Sequence, residues 1–385
     1  MADDAPILLD VTRLIWRRWK GRLPTGIDRV ALAYLDHFAP RSQAVVQHQR
    51  LRRILDVKAS QQLFALLQAP RHSFKRDLVT GLITNATRYG AKGQDRIYLN
   101  VGHTGLDSPG FQTWIDQNNV RPIYLVHDLI PISHPQFARA NENIRHRNRM
   151  RTALLTGTGI IANSRSTLHE LEQFAASEAL ELPATLVAWL GVDQLPGRSR
   201  GRPPTKPTFV TIGTIEGRKN HALLLNVWDR MVTRLHDAAP RLLIIGQRGW
   251  EAEKVFDRLD ADATLNGHVF ELGTCSDDEL AQHLGSARAL LFPSFAEGYG
   301  LPLVEALASG VPVIASDLPV FRELCGNIPT YLAPDDESAW EGMICDYANF
   351  DSGPRQTQLT RLKAYAAPSW AEHFRSVEQW LARLG

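Results

Sequence analysis

The stretch Phe292-Pro-Ser-Phe-Ala-Glu-Gly-Tyr-Gly-Leu-Pro-Leu-Val-Glu-Ala-Leu-Ala-Ser-Gly310 decides how the chain folds. A short apolar run ends at Phe292, a loop carrying Glu297, Gly298 and Gly300 follows, and another apolar run opens at Val313. Pro302 suits a first helical turn and Gly310 a helix end, so the intervening segment reads as a short helix between two strands. Strand, loop, helix, strand is the repeating unit of a parallel α/β sheet, where ligands bind beyond the carboxyl ends of the strands. Amides exposed at the helix start, with glycines before them, let a pyrophosphate approach closely. Glu305, one turn into the helix, can accept two vicinal hydroxyls of a ribose, and Glu297 in the loop can accept hydroxyls of a sugar.

The alternation extends in both directions. The runs Thr208–Ile212, Leu242–Ile245, Val269–Leu272, Ala289–Phe292 and Val313–Ala315 read as buried parallel strands. So do Ile7–Leu9, Arg96–Asn100, Ile123–Val126 and Gly159–Ala162 in the first half. Between the two sets, Leu195–Pro207 (LPGRSRGRPPTKP) has no apolar periodicity and reads as a linker. The expected organisation is a Rossmann-like lobe over 1–194, the linker over 195–207, a second Rossmann-like lobe over 208–367, and a cleft between the lobes. A last helix over 368–385 follows, opened by the capping box Ser369-Trp-Ala-Glu372 and docked on a lobe by Phe374, Val377, Trp380, Leu381 and Leu384. A second helix is expected after Asn220 as N-cap, with Leu224, Val227, Trp228, Met231 and Leu235 on one face.

The chain's 385 residues suit two domains, and 44% hydrophobic with 22% charged residues is the mix of a soluble globular protein. A net charge of +2 gives no global attraction for nucleic acid. Three scattered cysteines without metal spacing argue against a disulfide framework and a structural zinc. No run approaches the roughly 18 apolar residues of a membrane span. The opening MADDAPILLDV does not resemble a signal peptide, so a cytoplasmic location is expected.

The pair Glu297/Glu305, an E-x7-E spacing inside FPSFAEGYGLPLVEALASGVPVIASDLP, resembles the donor-site signature of family 4 retaining glycosyltransferases, which have the GT-B fold. The resemblance covers the second lobe and, more weakly, the first. It implies that Glu305 holds the nucleotide ribose and that Glu297 faces the donor sugar. Ser294, Gly298, Tyr299, Gly300 and Leu301 would line the same donor site.

A second constellation, Gly213-Thr-Ile-Glu-Gly-Arg218-Lys219-Asn220, follows the strand Thr208–Ile212. Cations at a helix start oppose the helix dipole and need an anion to justify them. A diphosphate leaving group supplies one, which an Arg fork and a Lys point charge can neutralise as it departs. The resemblance gives this role to Lys219. It also departs here, since many members carry Arg where this chain has Thr214, which leaves Arg218 as the second cation. Gly213 and Thr214 would lie against the substrate.

In Tyr124-Leu-Val-His127-Asp128 a strand ends in His-Asp. A histidine there can donate to a sugar hydroxyl or move a proton near neutral pH. Family members similarly place a His close to the transferred sugar. Asp128 either orients His127 or caps the loop, and His134 reads as structural. In the first lobe, Thr25-Gly26 marks a strand-to-helix turn, and the resemblance brings Gly26 to the donor phosphate or the acceptor. Between Asp10-Val-Thr-Arg13 and that turn, Arg13 to Arg22 holds five cations and two tryptophans. Read as a loop, it suits an anionic membrane face, an acceptor diphosphate, or an ordinary surface. The run Arg139–Arg151 reads as a solvated helix face.

Gly246–Trp250 and Gly273–Leu280 match loops that shape the nucleotide pocket, with backbone at Thr274 and Cys275 against the base; Asn163-Ser164 would line the cleft. Asp260-Ala-Asp262 fits a DxD pattern but lies in a charged helical stretch, so neither a metal nor any other cofactor is expected. Lys219 and Arg218 would serve as electrophiles instead.

The expected activity is transfer of a sugar, with retained configuration and without metal, from a nucleoside diphosphate sugar to a hydroxyl. The acceptor would be a glycan or lipid-linked glycan in bacterial polysaccharide or lipopolysaccharide assembly, with peripheral contact at the inner membrane face through Arg13–Arg22. A sugar-nucleotide epimerase and a non-catalytic sugar-nucleotide-binding protein are the alternatives.

Overall fold

The computed structural model describes residues 6–21, 25–69, 73–84, 92–193, 206–273 and 275–384. Residues 195–205 of the expected linker, Arg22 and Thr274 lie outside the described residues. The chain forms two compact units. The first is Met1–Ile132 with Glu142–Leu190 and Trp370–Gly385; the second is Ser133–Asn141 with Gly191–Ser369.

The sheet of the first unit contains β1 (Ile7–Asp10), β2 (Ser42–His48), β3 (Leu51–Ile54), β4 (Ile97–Asn100), β5 (Arg121–Val126), β6 (Gly159–Ala162) and β7 (Ala184–Val187). Their spatial order is β3-β2-β1-β4-β5-β6-β7, parallel throughout except for the β2–β3 pair. The second sheet contains β8 (Thr208–Ile212), β9 (Arg241–Ile245), β10 (Val269–Leu272), β11 (Leu290–Phe292), β12 (Val313–Ser316) and β13 (Thr330–Leu332). It runs β10-β9-β8-β11-β12-β13, entirely parallel. Both orders reverse beside their first strand, which creates a switch point between β1 and β4 and another between β8 and β11.

Apolar runs such as ILLD in β1 and VIAS in β12 are buried at every residue, as strands covered on both faces require. In the second unit Phe209, Leu224, Trp228, Met231, Ile244, Leu291, Trp340 and Tyr347 share one core. The helix His221–Leu235 supplies part of it through the spacing read from sequence. Its start differs from expectation, because Asn220 adopts φ 56° and its side chain does not cap the helix. Asn220 Nδ2 instead donates to the carbonyls of Pro293 (3.2 Å) and Pro334 (2.7 Å), tying the loops that follow β8, β11 and β13.

The helix Trp370–Leu384 is counted with the first unit. His373 Nε2 meets the Tyr34 hydroxyl at 2.9 Å, and Phe374 stacks on His37 with ring centroids 4.0 Å apart. A Cβ at Gly159, the first residue of β6, would lie 2.4 Å from the Trp380 ring, so glycine makes room for that docking.

Candidate functional site

Two loops at the switch point of the second sheet carry most of the sequence-derived candidates. The first leaves β8 at Gly213, whose φ of +141° favours glycine and whose Cβ would meet Lys219 Cε at 3.3 Å. The loop after β9 backs it closely: a Cβ at Gly246 would fall 1.9 Å from the Gly213 carbonyl oxygen, and one at Gly249 2.6 Å from Thr214 Cγ2. Thr214 thus packs beside the Gly246–Trp250 loop. A single 3-10 turn, Gly217–Lys219, then presents both cations.

The second loop leaves β11 at Phe292, and the Phe295 N–H donates to the Arg218 carbonyl (2.8 Å), locking the two loops together. Its carboxylate, Glu297, is the centre of the site. Oε1 accepts from Lys219 Nζ at 2.5 Å and from Ser294 Oγ at 2.8 Å, while Oε2 faces Arg218 Nη1 at 2.9 Å. Arg218 Nη1 also donates to the Ala296 carbonyl (3.0 Å), and its Nε pairs with Glu216 Oε1 at 2.7 Å. The Lys219 ammonium sits 4.6 Å over the Phe292 ring. The anions that offset Arg218 and Lys219 are therefore already in the protein. Glu216, part of the quoted motif but without an expected role, is one of them.

The two carboxylates are buried, with the Glu297 side chain 7% exposed and that of Glu216 4%, and Arg218 is half-buried. Burial on its own raises a carboxyl's pKa, but Arg218 and Lys219, with hydrogen bonds from Lys219 and Ser294, hold Glu297 down at about 2. Lys219 is also lowered, first by burial and further by the neighbouring Arg218, against the pull of Glu297. The two directions agree physically: the carboxylate faces two cations, whereas the ammonium faces one carboxylate and has a second cation beside it.

Beyond Glu297 the chain turns at Gly300 (φ +98°) into the helix Leu301–Ala308, with Pro302 in its first turn. A Cβ at Gly300 would lie 2.6 Å from Phe321 Cε1. Tyr299 and Glu305 are buried, Gly298 and Leu301 half-buried. Gly310 (φ +69°) closes the helix, its N–H donating to the Leu307 carbonyl. Cys275 lies beyond the carboxyl end of the edge strand β10 and before the helix Asp277–Ser286 that Ser276 caps. Asp260 pairs with Arg248, and Asp262 with Arg258.

In the first unit His127 follows β5 and is buried. Its Nε2–H donates to the Val101 carbonyl at 2.7 Å, and the His103 ring lies 5.4 Å away, with His146 5.7 Å beyond His103. Burial depresses the His127 pKa to about 4, so the ring is neutral at pH 7, which corrects the expectation of a proton carrier near neutrality. Asp128 caps the loop, accepting from the Ile130 N–H at 3.1 Å, and its carbonyl receives His146 Nε2. Asn163 Nδ2 donates to the His127 carbonyl (2.8 Å), whereas His134 belongs to the second unit and meets Ser133 and Phe137.

Gly26 opens the helix Gly26–Phe38, and Asp28 accepts from both the N–H and the hydroxyl of Thr25 at 2.7 Å. The basic run before it is mainly the helix Thr12–Trp19 rather than a loop. Arg13 and Arg17, one turn apart, both pair with the buried Asp28 (2.7 and 2.8 Å). Trp16 stacks on His48 and Trp19 meets Lys75, although both indoles stay partly exposed. The run 139–151 is likewise more engaged than a solvated face. Arg145 and Arg149 pair with Asp107, Arg147 and Arg151 with Glu178, and Arg139 lies 4.2 Å from the Trp250 ring.

Residues 197–339 match the family described as Glycosyl transferases group 1. The chain is 38% identical over 133 residues to the serotype-specific mannosyltransferase WbdA of Escherichia coli, covering 34% of this chain and 16% of that protein. It is 32% identical over 178 residues to the O-antigen chain mannosyltransferase RfbU of Salmonella typhimurium, covering 45% and 46%. The match thus spans less than half the length of either relative. The solved structure of Anabaena Alr3699/HepE in complex with UDP superposes with a TM-score of 0.67 at 14% identity, over 98% of this chain and 99% of that one. The fold is of the GT-B type, with two Rossmann-like lobes.

Proposed function

We propose that this chain is a glycosyltransferase of the O-antigen mannosyltransferase type. It moves a sugar from a nucleoside diphosphate sugar to a hydroxyl of a growing glycan, with retained configuration and without a metal ion. The observation that carries this reading is the convergence of Lys219, Arg218 and Glu297 on two interlocked loops at the switch point of the second sheet. The match over residues 197–339 and the mannosyltransferase relatives support it.

In this reading Glu305 holds the ribose, and the start of its helix receives the diphosphate. Lys219 and Arg218 stabilise the negative charge that grows as the bond between the anomeric carbon and the phosphate oxygen breaks. The acceptor oxygen bonds to the same face of the anomeric carbon, and its proton passes to the departing phosphate. Glu297 orients the sugar through its hydroxyls and forms no covalent bond to it. His127, neutral and with Nε2 given to Val101, offers Nδ1 to a hydroxyl.

The test is transfer from GDP-, UDP-, ADP- and dTDP-sugars to a panel of oligosaccharide acceptors, with the new linkage assigned by NMR and the reaction repeated in EDTA. Transfer with retained configuration that survives EDTA is expected. Product from donor alone would instead make the chain an epimerase. Loss of activity in EDTA, regained with Mn²⁺, would remove the metal-independent mechanism.

A further inference from the structure

The ion-pair cluster contains more acid than the proposed chemistry uses. Two cations, Arg218 and Lys219, face two carboxylates, Glu297 and Glu216, so the cluster is formally neutral. Glu297 is shared among Lys219, Arg218 and Ser294, which together occupy both its oxygens. On the reading above, it must exchange some of these bonds for sugar hydroxyls while the cations turn towards a diphosphate. Glu216 is placed differently. It directly precedes the 3-10 turn that carries both cations, and its own carbonyl accepts the Lys219 N–H at 3.0 Å. Its carboxylate grips Arg218 at Nε (2.7 Å), the opposite end of the guanidinium from the Nη1 that reaches Glu297 and Ala296. The turn is tied to the loop after β9, because Gly217 N–H donates to the Trp250 carbonyl (3.3 Å) and Gly249 N–H to the Ile215 carbonyl (2.9 Å).

We infer that Glu216 is a positioning residue: it holds Arg218 by Nε, so that the guanidinium keeps its aim when Glu297 exchanges partners. A planar guanidinium held at one edge retains its orientation at the other, which a lysine could not do. Glu216 also cancels one of two adjacent positive charges, that of the half-buried Arg218 beside the buried Lys219. This limits how tightly the site holds a diphosphate in the ground state and leaves Arg218 to act as charge develops. The inference rests on the proposed transfer reaction for its kinetic arm only.

The experiment compares wild type, E216Q, E216D, R218A and E216Q/R218A. It measures kcat and KM for transfer and, separately, the Kd of GDP and of UDP by calorimetry, with thermal unfolding as a control. E216Q should lower kcat about 10- to 100-fold while tightening nucleoside diphosphate binding at least threefold, the split expected when transition-state aim is lost and net positive charge is gained. E216D keeps the charge but withdraws the carboxylate, so it should lower kcat without tightening Kd. In the R218A background, E216Q should change kcat by no more than about twofold, because the two residues act as one unit in aiming the guanidinium, whereas part of its effect on Kd should persist through Lys219. An E216Q protein with wild-type kcat and Kd, or effects of E216Q and R218A on kcat that multiply, would overturn the assignment. If wild type transfers nothing, the transferase reading fails, and an E216Q protein with wild-type affinity for GDP and UDP would still overturn the role of Glu216. Should E216Q not fold, E216D with unchanged kcat is the overturning result.

Discussion

At the residue scale, the chemistry of the site turns on how Glu297 divides its two oxygens. A carboxylate held at about pKa 2 by two cations is fully ionised at neutral pH and is a strong acceptor for hydroxyls that displace those cations. Replacing it by Gln keeps the shape and removes the charge. Glu297→Gln should lower turnover at least about 100-fold while nucleoside diphosphate affinity stays level or tightens, since two cations are released from their counter-ion. Glu305→Ala should do the reverse, weakening the nucleotide about tenfold or more with a smaller change in kcat. Steady-state kinetics with calorimetry checks both, and a Glu297→Gln protein that lost nucleotide binding would contradict the division of labour. Glu297 and Lys219 were legible in sequence because each sits in a patterned loop after a readable strand. Glu216 was not, since a lone acid in a loop has no periodicity, and its meaning comes only from the 2.7 Å contact with Arg218.

At the element scale, the turn into the helix Leu301–Ala308 is the tightest constraint on the donor loop. Gly300 combines φ +98° with a Cβ position only 2.6 Å from the Phe321 ring. Gly300→Ala should therefore cost about 2–4 kcal/mol from backbone strain and overpacking together. The readout is a lower urea midpoint, and an unchanged midpoint would show that the turn relaxes. This loop, helix and strand were readable because proline, glycine and apolar runs agree there. The strands β2, β3, β7 and β13 were not. β2 buries Gln43 and Gln47, whose amides donate to the Leu55 carbonyl and to Asp10, so no continuous apolar run announces it. β7 is a half-exposed edge, and β13 has three residues. The helix Thr12–Trp19 was hidden by its charge, because the partner that neutralises Arg13 and Arg17 lies beyond the next turn, at Asp28.

At the scale of the whole molecule, buried histidines set the response to acid. His127 and His373 are depressed from 6.5 to about 4, chiefly by burial. As pH falls, the unfolded chain takes up these protons near 6.5 while the folded chain refuses them until about 4. Stability is therefore complete above about pH 6.5 and declines towards 4, by on the order of 3 kcal/mol for His373 and in the same sense for His127. Glu297 extends the loss below its ordinary value of 4.5, down to about 2. Asp10, raised by burial in spite of its bonds to Gln47 and Tyr98, acts in the opposite sense. Urea midpoints should fall steeply from pH 6.5 to 4.5 and stay level from 7 to 8. A flat profile across the lower interval would mean that the rings gain water on protonation without unfolding.

The assignment of Trp370–Leu384 to the first unit has a consequence for biosynthesis. Tyr34, His37 and β6 are synthesised early, yet the residues that cover them, His373, Phe374 and Trp380, emerge some two hundred residues or more later. On the ribosome, the surface at Tyr34, His37 and Gly159 must wait for that helix while the second unit, built from one nearly continuous stretch, can close around its own core first. Nascent chains of this protein should therefore engage chaperones longest through their earliest-made half, the opposite of the usual order in which N-terminal domains finish first.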